Sequence, residues 1–284
     1  MIMKKLRSVL KYIFFAVLSA AVLYPVILVF LLVLQDADEL TETIAPIIQS
    51  VEGYADIHYL PQYPTLKSLG ELLIFTPEFY KVFWNSLLIV GTILLFQLIA
   101  AVPAAWAFSR FKFKGKKLIF NLYVIFMLMP FQVTMLSQYM VLNQFHLMNT
   151  RLAVILPEVF STFAVFLIYR GFADIPNDIL DSARIDGANE LKVLFYIGLP
   201  LGKQGILACI VLKFLDYWNM VEQPLAFLKD KSKFPLSLYL PMMDSGRAEM
   251  LLASSAVTLI PAVFVFIIGQ DYLEQGIISS ALKE

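Results

Sequence analysis

Tyr12 to Leu34 is almost wholly apolar. At about 1.5 Å per residue, a helix of that length covers the roughly 30 Å hydrocarbon core of a bilayer, so the run reads as a first membrane span. Runs of the same kind recur along the chain. They account for a hydrophobic content of 60% and a mean hydropathy of +0.76, where soluble domains hold roughly 45 to 50% apolar residues. The chain is therefore expected to be an integral membrane protein. Lys plus Arg and Asp plus Glu number 22 each, so net charge is zero and no basic soluble face points to nucleic acid. The single cysteine, Cys209, excludes an internal disulfide framework and a cysteine-based zinc site, and it sits in an apolar run as a packing residue.

Taken in order, the basic start MIMKKLRSVLK precedes a run too long for a signal peptide and lacking a small-residue cleavage site, so residues 1–34 are read as an uncleaved first span. Lys4, Lys5, Arg7 and Lys11 stand before that span, and Asp36, Asp38, Glu39 and Glu42 follow it. The positive-inside rule then puts the N-terminus in the cytoplasm and residues 35–83 outside. Span two runs from about Trp84 to Phe108 and ends in SRFKFKGKK, whose Arg110, Lys112, Lys114, Lys116 and Lys117 read as a topology anchor against anionic lipid. Span three starts at Leu118 and meets Pro130, where a kink or break is expected. Gln132 to Gln144 is too short for a full crossing and reads as interfacial or re-entrant. Span four covers about Leu152 to Tyr169, span five about Gly205 to Leu225 and span six about Met250 to Ile268, within a core of residues 84–269. The tail, 270–284, is expected inside, like the N-terminus. Lys229 to Lys233 make a basic loop on the outer side, against the charge rule.

Between spans four and five lies a polar stretch, IPNDILDSARIDGANELKVLFYIGLP, from Ile175 to Pro200. Pro176 suits a first helical position, and Asn177, Asp178 and Asp181 favour the positive end of a helix. Gly187 suits the left-handed residue that ends many helices, and Asn189 can cap the next one. Pro200 is expected to limit that second helix. Helix, hinge, helix is the result, within a cytoplasmic segment spanning 170–203.

Span five is the polar one. Lys213 and Asp216 stand three apart on a helix face and can pair. Tyr217, Trp218, Asn219, Glu222 and Gln223 follow, and charges at membrane depth usually pair or face a wet cavity. Two readings stand open: a structural ion pair, or part of a polar passage where an aromatic face and hydrogen-bonding groups meet a sugar. His58 and His146 are isolated and read as loop residues, and neither H-E-x-x-H, G-x-S-x-G nor a Walker phosphate loop occurs.

The loop resembles the EAA motif of permease subunits in binding-protein-dependent ABC importers, E-A-A, three residues, G, then L-P. Asp181, Ser182 and Ala183 stand at E-A-A, with Asp186 beside Gly187, and Leu199 and Pro200 at L-P. The resemblance extends through NSLLIV (Asn85–Val90), AFSRFKFKG, LMNTRLAVILP (Leu147–Pro157), YWN (Tyr217–Asn219), FPLSL (Phe234–Leu238) and LIPAVFVFIIGQ, and points to the carbohydrate-uptake, maltose MalG-like branch. The tail SSALKE departs from the branch's usual ending. The resemblance implies an all-α, six-span type I ABC importer (MetI-like) fold in a bacterial-type cytoplasmic membrane. It also implies a second permease subunit as heterodimer partner, two cytoplasmic ABC ATPase subunits, an extracytoplasmic sugar-binding protein and transport by alternating access. Such a chain is no enzyme and binds no cofactor itself, ATP and Mg being held by the partner ATPases; the loop residues above would couple to them. The rival class is an ion-coupled secondary transporter or channel working through Lys213 and Asp216, for which paired inverted repeats are not evident.

Overall fold

A computed structural model of the chain describes residues 2–48, 60–243 and 247–281. His58 lies outside them, as do the last residues of the divergent tail, Leu282–Glu284. The described residues form helices joined by short loops, with no strand among them, as the apolar runs require, because a backbone in hydrocarbon must satisfy its own hydrogen bonds.

The chain divides into two units, Met1–Tyr80 with Leu240–Ile260, and Lys81–Tyr239 with Pro261–Glu284. In the first, α1 (Ile2–Leu32) is followed by α2 (Ala37–Ile48) and α3 (Lys67–Phe75). The segment after the first span therefore carries its own short helices. They are tied back where Thr65 N–H donates to Leu34 O at 2.8 Å and Gln62 N–H to the Glu39 carboxylate at 3.0 Å. Most large apolar side chains of α1 are exposed, as suits a helix whose neighbour is lipid or another chain.

The second unit begins inside α4 (Pro77–Arg110), a helix that starts seven residues before the Trp84 expected from hydropathy. After it, α5 (Lys116–Met127) and α6 (Phe131–Gln144) are bent by 101° across Pro130, the expected break. Pro130 adopts φ −68°, ψ 151°, geometry that a helix interior cannot hold. The fourth span consists of α7 (Arg151–Val159) and α8 (Thr162–Ala173), interrupted at Phe160 and Ser161 just after Pro157. Then come α9 (Asn177–Ile185), α10 (Glu190–Val193), a π-helical turn Leu194–Gly198 and α11 (Leu199–Trp218). The unit continues with α12 (Glu222–Phe227) and α13 (Leu236–Tyr239), and α14 (Ala248–Ala281) closes the chain. Among the described residues five segments are long and apolar enough to cross a bilayer, and six if the bent α5–α6 pair is counted as one broken span.

Two expectations need correction. Pro200 does not end the second loop helix: α10, the π turn and α11 run as one helix from Glu190 to Trp218. Leu199 N–H reaches back to Leu194 O, and this wider turn lies where the Pro200 ring would otherwise meet the carbonyl of Tyr196. The fifth span accordingly starts well before Gly205 and stops at Trp218, so Glu222 and Gln223 belong to α12 instead.

The core that positions the loop gathers around Trp106 near the end of α4. Its ring meets Phe172 edge-on at 5.1 Å and covers Gly198, where a Cβ would stand 2.6 Å from the ring. Leu180 and Val193, both fully buried, bring α9 and α10 onto the same cluster.

Candidate functional site

The loop between α8 and α11 is closed by a complete Schellman motif. Gly187 N–H donates to Arg184 O at 3.1 Å and Ala188 N–H to Ala183 O at 3.0 Å, with Gly187 at φ +85°. Asn189 then caps α10, its side-chain oxygen accepting from Lys192 N–H at 2.9 Å. Arg184 bridges the two helices, donating to Asp181 at 2.7 Å and Glu190 at 2.9 Å. These carboxylates, Glu190 foremost, raise the Arg184 guanidinium above its ordinary pKa. Asp181 is thus engaged within its own helix, with its side chain still 61% exposed. Ser182 donates back to Asp178 O at 2.8 Å, Ala183 packs toward the core, Asp186 is exposed, and Leu199 and Pro200 lie in the first turn of α11.

Arg110 fixes this loop to α4. Its guanidinium donates to Phe172 O, to Ile175 O at 2.8 Å and to Asn177 Oδ1 at 2.8 Å, and lies 5.7 Å from the Trp106 ring centre. A cation at the C-terminal carbonyls of α8 complements the helix dipole, and the same fork holds the start of α9. The sequence marked Arg110 only as a topology anchor.

Apolar residues that sequence reasoning passed over complete the loop's surface. Ile185 is 87% exposed and Tyr196 79% exposed, with Leu191 and Phe195 beside them in sequence and also exposed. Leu191 and Phe195 stand four apart, so a helical face was readable there.

A second feature is a cavity of about 1020 Å³ in the membrane region, walled by α5, α6, the α7–α8 break, the end of α11 and α12. Lys213, Asp216, Tyr217, Asn219, Glu222 and Gln223 all line it; Trp218 does not. Trp218 is buried, stacked on Phe214 at 5.5 Å and edge-on to Phe83 at 6.0 Å, which makes it packing. Lys213 is paired with Asp216 at 2.8 Å and lies 5.0 Å from the ring centres of Phe163 and Tyr217, so its charge is satisfied from several sides. Asp216 is 64% exposed. Glu158, which the sequence did not single out, accepts from the Gln223 amide, while Gln132 donates to Glu222 at 2.8 Å. Behind the wall, Gln97 donates to Glu158 O at 2.8 Å and to the Tyr217 hydroxyl at 2.6 Å. Asn219 caps α11 on Leu215 O.

Residues 97–279 match the family described as binding-protein-dependent transport system inner membrane component. The chain belongs to this family. The permease is 30% identical over 278 residues, 95% of its length and 94% of the relative's, to the arabinooligosaccharides transport system permease protein AraQ of Bacillus subtilis (strain 168). It is 28% identical over 197 residues, 67% of its length and 65% of the relative's, to the diacetylchitobiose uptake system permease protein NgcG of Streptomyces coelicolor. Its fold is shared with a solved bacterial ABC transporter involved in the import of the acidic polysaccharide alginate, at TM-score 0.80 and 20% identity over 94% of this chain and 96% of that one. The permease thus has the type I ABC importer (MetI-like) fold and is a multi-pass inner-membrane component.

Proposed function

We propose that the permease carries a sugar or oligosaccharide inward as one of two different permease subunits. It would work with two cytoplasmic ATPases, which hold ATP and Mg, and with an external sugar-binding protein. The observation that carries this reading is the near end-to-end similarity to an arabinooligosaccharide permease. The chemistry of the cavity supports it. Aromatic faces at Phe126, Phe160 and Phe163 suit the C–H faces of a sugar ring, and Glu158, Asp216 and Asn219 supply hydroxyl partners. The loop 175–200 is the coupling element, its exposed Ile185, Leu191, Phe195 and Tyr196 entering a groove on an ATPase and its exposed carboxylates meeting basic groups there. Closure of the ATPase pair on ATP favours one access state of the cavity over the other.

The test is ATP-dependent uptake of labelled oligosaccharides by the complex reconstituted with its binding protein. Asp216→Asn is expected to raise the half-saturating sugar concentration about tenfold, the loss of one charge-assisted bond, and Asn219→Ala by less, the loss of a neutral one, with basal ATP hydrolysis retained. Uptake that follows an ion gradient and ignores ATP would overturn the reading.

The charge rule favours a cytoplasmic N-terminus and basic segment after α4, and six spans would return the C-terminus to the same side. Cys209 is buried, so single cysteines report cleanly. Lys231→Cys is expected to react with a membrane-impermeant thiol reagent on intact cells and Lys114→Cys only after permeabilisation; the opposite pattern would reverse the topology. Ser50, a further outer-side position, lies outside the described residues.

A further inference from the structure

The basic loop Lys229–Lys233, which runs against the charge rule, has no role in the coupling loop or the cavity. Its fold is specific. Asn149, at φ +57°, accepts from the N–H groups of Lys229 and Asp230, both at 2.9 Å, and its carbonyl accepts from Lys233 Nζ at 2.8 Å. Asparagine tolerates this left-handed backbone better than most residues. Asn85, buried on α4, donates to Ser232 O at 2.8 Å and accepts from Arg151 at 2.6 Å, and Ser86 accepts from Leu236 N–H at 2.7 Å. Three motifs that are far apart in the sequence, NSLLIV, LMNTRLAVILP and FPLSL, thereby meet at one place.

A pocket of about 260 Å³ opens there, lined by Lys81, Thr150, Arg151, Leu152, Ser232 and Lys233. Three of its six lining residues are cations and none is an acid. The nearest carboxylate on the basic loop, Asp230, is 3.4 Å from Lys233, and its pKa is lowered chiefly by hydrogen bonds from Ser232. The Thr150 hydroxyl bonds back to Leu147 O, leaving the N-terminus of α7 without a side-chain cap. Arg151 Nε is buried without a hydrogen-bond partner, and Lys81 makes no hydrogen bond or ion pair among the described residues. Three cations, of which Arg151 and Lys233 are anchored by Asn85 and Asn149, and the uncapped N-terminus of α7 border a space that suits an anionic group.

Location selects the ligand. Lys81 and Arg110 stand near opposite ends of α4, about 43 Å apart at about 1.5 Å per residue, so the pocket is at the membrane face opposite the coupling loop. Lys81 heads a stripe of exposed residues, Trp84, Leu88, Leu95 and Ile99, on one side of α4. An aromatic residue just inside a cation is the usual sequence of a helix crossing the headgroup level.

We propose that this pocket binds the phosphate of an anionic phospholipid headgroup, with Lys81, Arg151 and Lys233 as its cationic partners. The volume suits a headgroup and is small for an oligosaccharide. The shared chemistry is a phosphate anion, and free phosphate is the competing source.

The test is lipid retention by the purified, delipidated transporter complex, followed by native mass spectrometry during titration with phosphatidylglycerol, with phosphatidylcholine of the same chains, and with inorganic phosphate. Phosphatidylglycerol is expected to bind in preference to phosphatidylcholine. Lys81→Gln is expected to weaken it about fivefold, and Lys81→Gln with Lys233→Gln about fivefold more, the effect of one surface cation each; Lys81→Arg is expected to retain binding. Lys81 is exposed, so its replacement leaves the fold intact. Equal retention of the two lipids, no change in the double variant, or binding of inorganic phosphate alone would overturn the lipid assignment. So would loss of binding-protein docking in Lys81→Gln with phosphatidylglycerol retention unchanged. The readout needs no transport and stands apart from the identity of the substrate.

Discussion

Gly187→Pro is expected to abolish ATP-dependent uptake while the permease still inserts and pairs with its partner. Proline fixes φ near −65°, and Gly187 stands at +85°. The substitution also deletes the N–H that donates to Arg184 O, one of the two bonds of the Schellman motif. Alanine keeps that N–H and loses only about 1 kcal/mol to the left-handed backbone, so Gly187→Ala is expected to keep most uptake. Nothing lies within 4 Å of the site for a Cβ to strike, which isolates the effect to backbone geometry. The measurement is co-purification of the ATPase with sugar-stimulated ATP hydrolysis in proteoliposomes. Normal stimulation in Gly187→Pro would remove the coupling role from this loop.

Gly205→Leu is expected to cost the most stability. At the crossing of α8 and α11, a Cβ on Gly205 would stand 2.9 Å from Gly171 Cα, and one on Gly171 would stand 3.0 Å from Gly205 Cα. Both obstacles are backbone, which cannot rotate aside as a side chain can. Small residues allow such close crossings in a membrane, where packing replaces the hydrophobic drive. Separating the helices to admit a leucine is expected to cost about 3 kcal/mol, the upper range for overpacking. Thermal unfolding of the purified complex is expected to shift down by several degrees with Gly205→Leu and by less with Gly205→Ala; an unshifted leucine variant would show that the two helices are not held at this crossing.

Local chemistry was legible wherever it decided the geometry alone. Gly187 and Asn189 end and begin helices because their needs are met within a few residues, and Pro130 breaks a helix because nothing there relieves it. Pro200 misled for the opposite reason: a π turn just before it relieves the clash, and no residue type announces such a turn. Lys213 and Asp216 pair as their spacing allows, but whether Trp218 or Asn219 faces the cavity depends on helical phase, set by tertiary packing. The Arg110 fork binds carbonyls 62 and 65 residues away in sequence and leaves no local pattern. Asn85, Asn149 and Phe234–Leu238 were visible as motifs whose physical purpose emerges only where the chain brings them together.

The π turn at Leu194–Gly198 also sets a rule for how this chain can vary. Each residue added to or removed from a helix rotates everything beyond it by about 100°. The π turn holds such an offset in place, aligning the buried side of α10 with Trp106 and the polar end of α11 with the cavity on one continuous helix. Single-residue insertions or deletions between Glu190 and Lys213, outside the π turn that can itself absorb one residue, would misalign one end or the other, whereas changes near a whole number of turns would preserve the phase. Sequence drift in this rod is therefore constrained in length far more tightly than in composition.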